Sequence, residues 1–321
     1  MTCYDVFNGD ADGICALQQL RLQFPREAKR ISGLKRDIDL LQRVDAGPGD
    51  EITVLDVSLD KNRGAVEQAL ANGASVFYAD HHFPGEIPVN EAFDCHIDVD
   101  ADTCTSLIVN KLLENAQARW AVVGAFGDNF DRPATELGRS IGLRSSELNS
   151  MQQLGICLNY NGYGFELDDL LFHPVELFDR VHPYPDPLDF IQNEKGYTEL
   201  LGQYQDDMRR AQNAPADSIS DGGAVYLLPN EGWARRIVGV MGNDLAKQFP
   251  DRAHALLVDM GDGHLRVSVR APYNRKDGAD ELCRQFPGGG GRKAAAGINA
   301  LARESMPRFV EQFDLQFGGA K

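Results

Sequence analysis

Asp10 and Asp12 stand two residues apart in FNGDADGICAL, where Gly9, Ala11 and Gly13 let a tight loop turn both carboxylates toward one point. Hard divalent cations take such oxygen ligands. Asp56 lies between apolar residues in VLDVS, Asp80 is followed by His81 and His82 in YADHHF, and Asp128 closes GAFGD. Imidazole beside carboxylate moves the preference from calcium toward manganese, iron, cobalt or zinc. Two ions about 3.5 to 4 Å apart, bridged by one carboxylate, hold a water as hydroxide and clamp a phosphoryl oxygen. Phosphoester hydrolysis is the matching chemistry, with Asp56 as the bridge, Asp10 favouring one ion, and Asp12, His81 and Asp128 favouring the other. Singly, each piece has a plainer account: an Asp-x-Asp-Gly loop is usually a turn, and paired histidines are often surface residues. Asn8, Asp10, Asp12 and Gly13 also match the first half of a calcium loop, but Gln19 stands where its Glu belongs and seven preceding residues cannot supply an entering helix. The joint pattern favours a catalytic metal site.

The elements that must position these residues follow from the hydrophobic pattern. Short β-prone runs, CYDVF, EITVLDVSL (51–59), ASVFYADHH (74–82) and DCHIDVD (94–100), end in acidic or histidine residues. Helical patterns lie between them at Gly13 to Phe24, Lys61 to Asn72 and Thr103 to Asn115. This alternation predicts an α/β domain with a mostly parallel sheet and functional residues at the carboxyl ends of its strands. HPYPDPLDF (182–190) reads as a turn, and Gln192 to Asn213 as a connecting helix. AVYLL, HALLVDMG and HLRVSVRAP alternate with WARRIVGVMGNDLAKQF, which predicts a smaller mixed α/β domain. The expected division is a metal-binding domain over 1–182, a linker and connecting helix over 183–214, and a substrate-binding domain over 215–321.

Taken in order, these segments resemble the DHH phosphoesterase family, whose Asp-His-His triplet is matched by Asp80, His81 and His82. NGDADGICAL resembles the first family motif, VLDVS the second, ADHH the third and GAFGDNF the fourth. DTCTSLIVNKLL resembles the Ser-Thr helix after the third, and VSVRAP followed by FPGGGGRKAAAGI resembles the Gly-rich signature of the DHH-associated substrate domain. The resemblance covers nearly the whole chain. It implies a phosphoesterase with two manganese ions, or magnesium, in the N-terminal domain and a substrate cleft facing the C-terminal one. It implies Asp10, Asp12, Asp56, His81 and Asp128 as metal ligands, Asp56, His81 and His82 as catalytic residues, and His82 as a charge stabiliser facing the scissile phosphate. Arg270 and the loop Gly288 to Arg292, with Gly289, Gly290 and Gly291, would hold a phosphate or terminal nucleotide. Glycines let backbone N–H groups approach an anion, and Arg offers a bidentate fork. Because the loop follows ELCRQF and precedes KAAAGINAL, which reads as a helix start, the expectation is an anion at a helix N-terminus. Three departures stand out: Asn8 and Val6 occupy the places where another ligand is usual, Arg292 replaces a His, and Cys104 replaces the Ser of the Ser-Thr pair.

Composition narrows the substrate. The 321 residues carry a formal net charge of −16, and residues 1–214 hold 18 basic against 35 acidic side chains while residues 215–321 hold 14 against 13. An extended basic groove for long nucleic acid cannot dominate such a molecule. The expected reaction is therefore metal-dependent hydrolysis of short oligonucleotides or small nucleotides. The alternatives are a single-strand exonuclease on longer chains and, from another class, a nucleotide-binding regulator that has lost catalysis. The N-terminus lacks the basic then apolar layout of a signal peptide, and no apolar run reaches the ~18 residues that span a bilayer. Six scattered cysteines without a C-x-x-C pair argue against a disulfide framework or a thiolate zinc site. A cytoplasmic protein without a membrane partner is expected, and homodimerisation is left open.

Overall fold

The computed structural model describes residues 1–318. The chain forms two compact units, the first Met1–Gln203 and the second beginning at Tyr204.

The first unit contains β1 (Cys3–Phe7), α1 (Ala11–Gln23), β2 (Lys29–Ile31), β3 (Glu51–Leu55), α2 (Leu59–Ala71), β4 (Ser75–Asp80), β5 (Phe93–Ile97), α3 (Thr105–Leu112), α4 (Ala118–Gly127), α5 (Asp131–Ser140), α6 (Ser145–Asn161), α7 (Pro174–Val181) and α8 (Pro187–Asn193). Helix α9 (Lys195–Gln212) follows. The five strands form one parallel sheet in the order β2-β1-β3-β4-β5. The chain leaves β1 to one side and returns as β3 on the other, so the strand order reverses there. Helices after the two strands turn away in opposite directions, which opens a crevice at their carboxyl ends. Near-continuous burial of β3 and β4 is what a sheet covered on both faces requires. Val6, Val54, Tyr78 and Val66 are among its core residues. Below them, the buried Asp5 on β1 meets Arg21 of α1 through both carboxylate oxygens, at 2.7 and 2.9 Å.

The proline-rich stretch read as a turn contains helix α8. Asp186 caps it by accepting the Leu188 N–H at 2.8 Å, and Pro187 occupies the first turn, where its missing N–H costs no hydrogen bond.

The second unit contains β6 (Ser218–Ile219), β7 (Gly223–Leu228), α10 (Gly232–Gln248), β8 (Ala253–Asp259), β9 (His264–Arg270), α11 (Ala279–Arg284), β10 (Gly289–Arg292), β11 (Ala295–Ala302) and α12 (Met306–Gly318). Its sheet has the order β10-β11-β9-β8-β7-β6 and is mixed: β7 and β8 run parallel and the other neighbours antiparallel. Ala255 and Leu257 of β8 share a core with Phe309, Phe313 and Phe317 of α12.

The expected helix at KAAAGINAL is not present: Ala295–Ala302 is strand β11, paired with β9 on one side and β10 on the other. Alanine is the best helix former, but propensity yields to tertiary context, and burial of Ala296, Ile298 and Leu301 against the sheet outweighs it. The glycine run is one arm of this hairpin. Gly291 has φ 143°, and a Cβ there would come within 2.5 Å of the Ala296 backbone, so only glycine fits.

His254 on β8 is fully buried, and neither ring nitrogen has a hydrogen-bond partner. Burial, with Arg252 nearby, pushes its pKa down to about 4. The unfolded chain protonates this ring near pH 6.5 while the folded chain resists, so stability is complete above that value and falls as pH drops toward 4. The expected loss is about 3 kcal/mol. Urea midpoints at pH 7.5 and 4.5 check this: His254→Leu should show a smaller acid loss than wild type, and equal losses would exclude the assignment.

Candidate metal centre

Asp10 closes the turn after β1 as the N-cap of α1, its Oδ1 accepting the N–H groups of Asp12 and Gly13 at 3.0 and 3.1 Å. The cap fixes the loop and sends the Asp12 side chain across to α3. There both Asp12 oxygens accept backbone N–H groups, from Thr105 at 2.7 Å and Ser106 at 2.8 Å. A carboxylate held by the N-terminus of a helix is well placed for its negative charge.

Asp56 follows β3 with φ 57°, in the left-handed region that non-glycine residues seldom adopt. Its N–H still bonds the Ala79 carbonyl at 3.0 Å, and its Oδ1 accepts the Thr105 hydroxyl at 3.0 Å. His81 and His82 follow β4. The His81 Nδ1 lies 3.2 Å from the Thr103 carbonyl, which can only accept, so Nδ1 carries a proton and Nε2 of the neutral ring offers a lone pair. That Nε2 faces Asp56 Oδ1 at 3.5 Å and Asp128 Oδ2 at 3.6 Å. In His82, Nδ1 is bound to the buried Asp80 at 2.7 Å, which orients its ring in the same way. Asp128 ends α4. Gly127 before it lets α4 pass close to α1 and α6, since a Cβ would stand 2.2 Å from Ala11 Cβ and 2.8 Å from the Gly155 carbonyl.

Asp12, His81 and Asp128 each bring a ligand atom within 4.8 Å of the others, and so do Asp56, His81 and His82. The electrostatics of the crowded carboxylates favour a cation. Burial raises the Asp12 pKa, with Asp128 and Asp10 adding to the rise against His81. Burial and the charges of Asp10, Asp12, Asp128 and Asp80 raise Asp56 well above the carboxylate range. Asp128 is held below that range, because Lys35 and His81 outweigh its burial. A lone pair on imidazole, aimed at crowded carboxylates, is the donor set of a divalent transition ion. The residues therefore fit a divalent metal ion.

Asp10 belongs to neither ligand group. Its Oδ2 is bound by the ammonium of Lys35 at 2.5 Å, and the same ammonium reaches Asp128 Oδ1 and Asn159 Oδ1, each at 2.9 Å. Burial would lower the Lys35 pKa, but Asp10 and Asp128 more than reverse that and hold it well above the usual value. Lys35 was not foreseen from the sequence. It follows the short edge strand β2, which the hydrophobic pattern also did not show, and its partners lie up to 124 residues away. Asn8, where the resemblance expects a ligand, donates instead to the Lys35 carbonyl at 3.1 Å. The stretch Asn159, Tyr160, Asn161 and Tyr163 is largely inside: the first three are buried at the end of α6.

In the second unit, Arg292 pairs with Ala295 and Ala295 with Arg270, so both arginines occupy one row of the sheet two strands apart. Residues directly opposite point to the same face, which separates these side chains at their roots by about 10 Å. Arg270 is oriented by Asn243 of α10, at 2.8 Å, and by Ser268, at 2.9 Å.

Residues 221–319 match the DHHA1 domain. Among solved structures, the chain is similar to exonuclease RecJ bound to manganese, with a TM-score of 0.64 at 15% identity, covering 100% of this chain and 91% of that one. RecJ of Thermus thermophilus in complex with Mn2+ gives 0.63 at 17% identity, covering 100% of this chain and 52% of that one, about half its length. The pGpG-specific phosphodiesterase PggH of Vibrio cholerae gives 0.55 at 15% identity, covering 98% and 100%. No curated protein matches the sequence. A parallel α/β domain with carboxylates and histidines at its strand ends, joined to a smaller mixed α/β domain, defines the class. Residues 221–319 carry a DHHA1 domain, and the chain as a whole has the fold of RecJ and PggH.

Proposed function

We propose that the protein is a divalent-metal-dependent phosphoesterase that hydrolyses phosphoester bonds in short oligonucleotides or small nucleotides. The observation that carries this reading is the convergence of Asp12, Asp56, Asp128 and the lone pair of His81 at the carboxyl ends of β1, β3 and β4 and the end of α4. A manganese or magnesium ion held there supplies a nucleophilic water at neutral pH and a positive charge opposite the phosphoryl oxygens. Asp12, Asp128, His81 and Asp56 would hold the ion and neutralise its charge. Asp80 orients the His82 ring through Nδ1, so that the ring would stand beside the phosphoryl group. The sheet row carrying Arg270 and Arg292, with the glycine arm beside it, offers anion-binding groups for a phosphate or terminal nucleotide. The net charge of −16 favours small substrates over long polyanions. RecJ, named as an exonuclease, and PggH, named as a pGpG-specific phosphodiesterase, have folds that accommodate related chemistry.

The test is product release from di- to pentanucleotides, cyclic dinucleotides, a nucleoside bisphosphate and a long single strand, with manganese, magnesium or chelator. Metal-dependent turnover, fastest on the short substrates, is expected. Preference for the long strand would replace the proposal with an exonuclease. Binding without turnover of any substrate would favour a regulator.

A further inference from the structure

We infer that this protein binds a single divalent ion, and that the Lys35 ammonium takes the position and electrostatic role of a second one. The inference rests on the phosphoesterase reading and specifies its metal content. Lys35 has three N–H donors and the structure gives each an oxygen: Asp10 Oδ2 at 2.5 Å, Asp128 Oδ1 at 2.9 Å and Asn159 Oδ1 at 2.9 Å. A side chain with every donor used is a fixed point charge, and two of these oxygens belong to carboxylates that a second ion would need. Its backbone is fixed as well. The Lys35 N–H bonds the Gly162 carbonyl at 2.9 Å and its carbonyl accepts from the buried Asn8 at 3.1 Å.

Asp10 lies outside both ligand groups, and each of its oxygens already accepts a hydrogen bond. Its Oδ1 serves the first turn of α1 and its Oδ2 serves Lys35. The two ligand groups, Asp12 with Asp128 and Asp56 with His82, both depend on His81. With Nδ1 of His81 committed to the Thr103 carbonyl, only Nε2 can ligate, and one lone pair binds one ion. Charge balance agrees: one divalent ion and one ammonium leave only a single net negative charge on Asp10, Asp12, Asp56 and Asp128. A second divalent ion would have to displace the part-buried ammonium from the oxygens of Asp10 and Asp128.

The experiment is metal stoichiometry. Chelated protein is titrated with manganese, and bound metal per chain is counted by mass spectrometry alongside the manganese electron paramagnetic resonance spectrum. Wild type should bind one ion per chain with the uncoupled spectrum of an isolated ion, and Lys35→Arg, which keeps the charge, should do the same. Lys35→Ala should bind two ions with a spin-coupled spectrum. Two ions in wild type overturn the inference while leaving the phosphoesterase proposal standing. A single ion in folded Lys35→Ala, judged by circular dichroism, overturns the role given to Lys35. Folded wild type that binds no ion overturns the proposed function itself. The wild-type count decides the main question even if Lys35→Ala does not fold.

Discussion

Asp56→Asn should lower turnover by about 10³-fold, or about 4 kcal/mol in activation free energy, while making the metal-free protein more stable. Asp56 stands where the strand order reverses, faces His81 at 3.5 Å, and is crowded by Asp10, Asp12, Asp128 and Asp80. Asn keeps the size and still accepts the Thr105 hydroxyl. It also tolerates φ 57° better than most residues, so the variant isolates the charge. Without metal that charge is repulsive, and its removal should stabilise the chain by about 1 kcal/mol, as commonly happens when active-site strain is relieved. With metal the same charge holds the ion, so manganese should raise the melting temperature of wild type more than that of the variant. Activity within tenfold of wild type would remove Asp56 from the mechanism.

The largest effect on stability is expected from Asp5→Ala, at about 3–5 kcal/mol. Asp5 is 1% exposed and binds Arg21 through both oxygens; Arg26 adds a third contact at 3.3 Å. Thr53 accepts from both arginines, at 3.0 and 2.6 Å. Removing the carboxylate leaves the Arg21 guanidinium under the sheet with only the Thr53 hydroxyl and the Phe24 carbonyl as side-chain partners. Asp5→Asn keeps one acceptor and should cost less. The double variant Asp5→Leu with Arg21→Met should recover much of the loss, because two apolar groups leave no buried charge unpaired. Urea unfolding gives the three values, and an Asp5→Ala cost under about 1 kcal/mol would show that water reaches Arg21.

The candidate metal ligands were legible because each is a local signal. A β-prone run ending in Asp or His places that residue at a strand end, and parallel strands bring their ends together. Asp12, Asp56 and His81 followed from that rule, and Asp128 from the apolar helical stretch before it. Asp10 met the same rule, and its oxygens also serve a helix cap and an ammonium, which the rule does not show. The second unit shows the limit of propensity: KAAAGINAL suits a helix until β9 and β10 are present to pair with it.

The order of runs and the residues at their ends determined an α/β protein with a candidate divalent-ion site, and the shift in charge between the two parts of the chain underlies the proposal of small anionic substrates. These properties depend on neighbours within a turn or a strand, so the linear order records them. Only the tertiary structure decided that Asp12 is held by α3, that His81 presents Nε2, and that Lys35 joins Asp10, Asp128 and Asn159. Those contacts join residues 22 to 124 positions apart. A lysine becomes a fixed cation only when the fold surrounds its ammonium with oxygens, and no local pattern encodes that enclosure.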